Sequence, residues 1–142
     1  MAISQAMCTS FKVELLQGVH NFTTSTGDVF KIALYTSSAT LGASTTVYTT
    51  SNEVVGTGYT AGGNTLTNVT PTSSGTTAFT DFADTTWSTA TITARGALIY
   101  NSTEANKAVC VLDFGSTITK VASDLVITFP TNGETTSVLR IT

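Results

Sequence analysis

The sequence predicts an all-β fold: one antiparallel β-sandwich, jelly-roll-like, carried behind a short N-terminal helical arm. Three features lead to it. From Asp28 onward apolar side chains recur with a period of two, the spacing of a strand with one buried face. Turn signals separate these runs at the intervals sandwiches show, and no helical stretch lies between them, which excludes a parallel α/β sheet. Thr (32) and Ser (14) make up about a third of the 142 residues. Thr is β-branched with a small hydroxyl, so it suits a strand's solvent face without adding charge. The length is that of one ordinary domain, and the expected division is an arm over residues 1–22 and a single sandwich over residues 23–142.

The arm contains the one helix-like stretch, Ser10–His20. Phe11, Leu15, Leu16 and Val19 fall on one face at i, i+4, i+5 and i+8, with Lys12 and Glu14 away from it. Ser10 suits the N-cap and Gly18 weakens the last turn. A helix of about three turns is marginal alone, so this stripe must rest on the domain's own sheet or on a neighbouring subunit.

The first strand is expected within Asp28–Thr36, where Phe30, Ile32 and Leu34 share a face opposite Lys31. Further strands are expected at 47–50, 53–55, 65–69, 78–82, 89–94, 97–100, 108–114, 125–129 and 137–141. Turns are expected near Gly27, Gly62-Gly63, Gly75, Asn101-Ser102 and Asn132-Gly133. The large apolar members of these runs should form the core: Phe30, Ile32, Leu34, Phe79, Trp87, Ile92, Leu98, Val111, Phe129 and Leu139.

Charged residues are 11% of the chain, against roughly 25% in an average soluble domain. Hydrophobic residues at 41% and a mean hydropathy of +0.22 are unlike the profile of a disordered chain. A net charge of −3 with six Lys and Arg offers no cationic stripe for nucleic acid. No apolar run approaches the roughly 18 residues of a membrane-spanning helix. The start, Met1–Ala6, lacks the basic and apolar regions of a secretory signal, so synthesis in the cytoplasm is expected. In that compartment Cys8 and Cys110 read as small buried hydrophobes and not as a disulfide.

The motifs that resemble chemistry each have a plainer reading. Gly56-Thr-Gly-Tyr-Thr-Ala61 carries the letters of a dinucleotide fingerprint, but Gly62-Gly63-Asn64 and another strand follow where the phosphate-binding helix should start. His20 stands alone, past the helix end, where an imidazole suits the dipole better than a metal. Asp81 and Asp84 would face opposite sides of an extended strand, so shared acid–base work would need a bend between them. Asp113-Phe-Gly115 matches kinase letters without any other kinase element. Trp87, the single tryptophan, reads as a core or interface anchor, or with the tyrosines as a carbohydrate platform. No metal, no cofactor and no enzymatic activity are expected.

Several segments carry a family resemblance: Phe11–Phe22, Phe30–Thr36, Glu53–Gly63, Phe82–Tyr100, Val111–Gly115 and Ile127–Pro130. In their order along the chain they resemble a family of small virion structural proteins of tailed bacteriophages. The resemblance implies a non-enzymatic capsid decoration or cement protein, a compact β-domain on the virion's outer shell. Its implied partners are the major capsid protein and copies of itself, as a homotrimer on local three-fold axes, with neither nucleic acid nor membrane. Phe11, Leu15, Leu16 and Val19 are the candidate interface. The alternative is a tail, head–tail accessory or fibre protein with a receptor- or carbohydrate-binding role.

Overall fold

The computed structural model describes residues 2–142. The period-two runs become strands and account for most of the regular structure, 49% of the chain against 6% helix. In chain order the elements are β1 (Ala6–Met7), α1 (Thr9–Leu16), β2 (Phe30–Tyr35), β3 (Asn64–Thr65) and β4 (Asn68–Ser74), then β5 (Thr77–Phe82), β6 (Thr85–Asn101), β7 (Lys107–Ile127) and β8 (Leu139–Ile141). They form two antiparallel sheets in a sandwich-like body, of order β1-β7-β6-β2-β3 and β4-β5-β8.

The helix is shorter than its periodicity suggests. Gly18 takes φ +71, the Val19 N–H reaches back to the Glu14 carbonyl (3.0 Å) and the Gly18 N–H to the Leu15 carbonyl (3.1 Å). That closing pattern ends the helix at Leu16 and leaves Val19 beyond it. The N-cap is Cys8, without a side-chain bond, and not Ser10, whose hydroxyl is buried inside the first turn with no partner.

The expected strands at 89–94 and 97–100 are one strand, β6, and those at 108–114 and 125–129 are the ends of β7. Arg95-Gly96 and Gly115 interrupt the alternation without ending the pairing, because the hairpin absorbs them as bulges. Its register slips four times, between Trp87 and Ala90, Ala90 and Ile92, Ala94 and Gly96, and Ile99 and Tyr100. Conversely, the expected strands at 47–50 and 53–55 reduce to single bridges, Val47 with Lys107 and Glu53 with Tyr35. Their backbone follows the sheet edge as a loop.

All ten predicted core residues are buried. An aromatic run ties the layers together: Phe11 meets Phe22 edge-on (5.9 Å), Phe22 stacks on Phe30 (4.3 Å), Phe30 touches Phe82 (5.8 Å), and Phe82 touches Phe129 (5.7 Å). This run starts in the predicted arm. With Ala6 and Met7 paired to Val111 and Cys110 in the larger sheet, residues of the arm share the core of the sandwich. Cys8 and Cys110 are free and buried, and the register sets Met7 rather than Cys8 opposite Cys110.

Candidate functional site

The four candidate interface residues separate. Phe11 is fully buried and Leu15 is partly buried against the core. Val19, half-buried, lies beyond the helix end. Leu16 is 93% exposed and, with Val13 three residues earlier, forms the outward face of α1. Only Leu16 of the four is fully exposed.

The most organised polar centre lies elsewhere, around Glu53. The loop after β2 turns back along the sheet edge, where the Val54 N–H bonds the Leu34 carbonyl (2.9 Å), and this buries the Glu53 side chain. Its Oε1 accepts from the Tyr48 hydroxyl (2.6 Å); its Oε2 accepts from the Tyr59 hydroxyl (2.6 Å) and the Gly62 N–H (2.7 Å). Tyr100 donates to the Gly62 carbonyl (2.7 Å) and stacks on Tyr48 (4.6 Å), while Tyr35 donates to the Thr49 carbonyl (2.6 Å). These are all four tyrosines of the chain. Burial, with the charge of Glu53 added, pushes the Tyr100 phenol up to about 12 and raises Tyr35 as well. Tyr48 and Tyr59 are raised by burial first and then by their bonds to Glu53. Burial thus disfavours ionisation of every phenol, and together their hydrogen bonds clamp the loop to the sheet edge.

The second centre surrounds His20. Asn101, fully buried at the hairpin end, accepts the Thr103 and Glu104 N–H groups on its Oδ1 (3.1 and 3.2 Å). Its Nδ2 therefore faces His20 Nδ1 (2.9 Å) and Asp28 Oδ2 (2.8 Å). That orientation makes Nδ1 an acceptor and assigns the Nε2–H tautomer, which donates to Glu14 Oε1 (3.0 Å). His20 thus meets the helix through the Glu14 side chain and not, as expected, through the dipole of the helix end. The arrangement joins α1 to the β6–β7 hairpin, with Lys107 beside Glu14 (3.9 Å).

The remaining motifs resolve structurally. Trp87 is buried beneath Tyr59 (6.0 Å), so it and the tyrosines build no exposed carbohydrate platform. Asp81 is buried and accepts from the Phe82 N–H (2.9 Å), with Oδ2 unpartnered. Burial raises its carboxyl, opposed by the Phe82 and Val138 N–H groups and reinforced by the charge of Asp84. Asp84 instead accepts the Phe129 N–H (2.8 Å). Gly56 and Gly58 sit where a Cβ would strike the β6 backbone, at the Thr91 carbonyl and at Ala90 Cα (2.8 Å). The glycines thus serve close backbone approach, with Thr57 bridged to Thr91. Among the described residues no group of three His, Cys, Asp or Glu side chains is placed to hold a metal ion.

Sequence reasoning missed the Glu53 centre. Its one visible signal is that Glu53 is the only charged residue between Lys31 and Asp81. No family model, curated protein or solved structure matches the chain.

Proposed function

We propose that this chain is a non-enzymatic structural protein of a tailed-phage virion, a decoration or cement protein that binds the major capsid protein and stabilises the head shell. The sequence resemblance motivates this reading, and one structural observation supports it most. Beyond Asp113, β7 pairs only with β6, and its side chains from Gly115 to Asp124 are largely exposed, carrying hydroxyls, Ile118, the 71% exposed Val121 and two charges, Lys120 and Asp124. Such a surface meets a flat neighbour at low cost. Thr and Ser lose less rotamer freedom than Lys or Glu, and few charges need desolvation. Contacts repeated around a symmetry axis add through effective concentration, which suits a homotrimer on a local three-fold axis.

The test is addition of the purified protein to head particles that lack it. Saturable occupancy in a fixed ratio to the major capsid protein, with raised resistance of the shell to heat, is the expected result. Absence from purified virions by mass spectrometry, or no binding to the particles, overturns the reading.

A further inference from the structure

A cavity of about 460 Å³ lies between α1 and the smaller sheet, within the roughly 300–1,000 Å³ range of small-molecule sites. Its walls are apolar, built chiefly by Phe11, Leu15, Phe22, Phe79 and Leu139. His20 also borders it, but both ring nitrogens are already engaged, by Glu14 and Asn101, so it offers no free nitrogen to an occupant. The one Lys, Arg, Asp or Glu side chain in the wall is Arg140. It is exposed, its guanidinium donates to the Thr135 carbonyl (2.6 Å), and it forms no ion pair among the described residues.

We propose that this cavity binds a free amphipathic monoanion, an unbranched aliphatic carboxylate, with its tail between α1 and the smaller sheet and its head on Arg140. The charge follows from the wall: a lone cation, with no Asp or Glu among the residues that line this cavity, complements one anion. The tail follows from the interior, where a heteroatom would find few free partners and be buried at a cost. The free molecule is favoured over a bilayer because the rim carries a single cation on a chain of net charge −3, which an anionic membrane surface would repel.

The experiment is calorimetric titration of the full chain with sodium decanoate below its micelle-forming concentration, alongside decanol and anionic phosphatidylglycerol vesicles. Saturable binding of one decanoate per chain is expected, with decanol about tenfold weaker. Arg140→Gln should weaken decanoate about tenfold and leave decanol unchanged, and Leu15→Trp, which fills the cavity from the helix side, should block both. No saturable decanoate binding, equal binding by Arg140→Gln, or vesicle capture without decanoate binding each overturns the proposal. If Leu15→Trp does not fold, the exposed Arg140→Gln decides alone.

Discussion

Tyr59 joins Glu53 to β2 through a single oxygen: its hydroxyl donates to Glu53 Oε2 at 2.6 Å and accepts the Leu34 N–H at 2.9 Å. One side chain thus satisfies both a buried carboxyl and an edge-facing backbone donor of β2. Tyr59→Phe keeps the ring against Trp87 but orphans the Leu34 N–H, at an expected cost of about 1–3 kcal/mol. Glu53→Gln replaces one acceptor oxygen with a donor facing phenol hydroxyls and should cost at least as much. Because the two residues share one bond, the double variant should lose less than the sum of the singles. Urea denaturation of the four proteins measures the coupling, and strict additivity would show that the bond contributes little.

The phenols make the same centre sensitive to alkali. Tyrosine in an unfolded chain ionises near about 10, whereas folding holds Tyr100 up to about 12 and raises Tyr35, Tyr48 and Tyr59 too. Above pH ~10 the folded state therefore binds more protons than the unfolded state. By linkage, stability is fully present below that pH and falls as pH rises through the folded values. Tyrosinate absorbance is expected to appear in one cooperative step, coincident with loss of the β circular-dichroism signal. Gradual ionisation near pH 10 with the fold intact would contradict the clamp.

How much of this was legible follows from the kind of signal each element leaves. Strands such as β2 announce themselves because Phe30, Ile32 and Leu34 alternate with residues of the other face, and all three are buried. Bulges do not, since Gly96 and Gly115 read locally as breaks and only the facing strand carries pairing across them. The arm was ambiguous for a related reason. A helical stripe of Phe11, Leu15, Leu16 and Val19 presumes that the helix continues, and the Gly18 turn removes Val19 from it while Leu16 points outward. The Glu53 centre was least legible, because Tyr35, Tyr48, Tyr59 and Tyr100 lie far apart in sequence and only the tertiary fold brings them together.

Gly63 holds the tightest approach of loop to sheet. At φ +77 a Cβ there would overlap the Ile32 carbonyl oxygen, and the atoms it meets are backbone that cannot swing away. Gly75, in the turn between β4 and β5, has φ +58 and open space around it. Gly75→Ala should therefore cost only the conformational penalty of about 1 kcal/mol. Gly63→Ala should cost several times more or prevent folding. Thermal melts of the two variants separate the effects, and similar melting temperatures would mean that the close approach is not structurally demanding.

The thiols give an independent probe of core integrity. Burial pushes Cys8 up to about 11 and Cys110 up to about 12, with a smaller contribution from Glu14 at Cys8 and from Cys8 at Cys110. The nucleophilic thiolate is therefore scarce at neutral pH. Neither thiol should react with iodoacetamide in the native protein, and both should react after unfolding in urea. Rapid native alkylation of Cys8 would show that β1 and the start of α1 open readily from β7.

The outer face of α1 is where a capsid contact of the proposed kind can be tested on the arm. Removing residues 1–22 cannot answer this, because Phe11 and Phe22 belong to the aromatic run of the core, and each such loss costs about 3–5 kcal/mol. The truncated chain is expected to unfold. Leu16→Asp is the sharper change, since a side chain 93% exposed makes little contact with its own fold, and surface substitutions usually stay within about 0.5 kcal/mol. Adding Val13→Asp, half-exposed on the same face, places two charges on the surface without entering the core. Unchanged melting with lost occupancy on head particles is expected if this face docks on the capsid, because a buried unpaired carboxylate penalises the complex alone. Full occupancy by the double variant would remove α1 from the interface and leave the exposed half of β7 as the contact to probe, beginning with Val121→Asp.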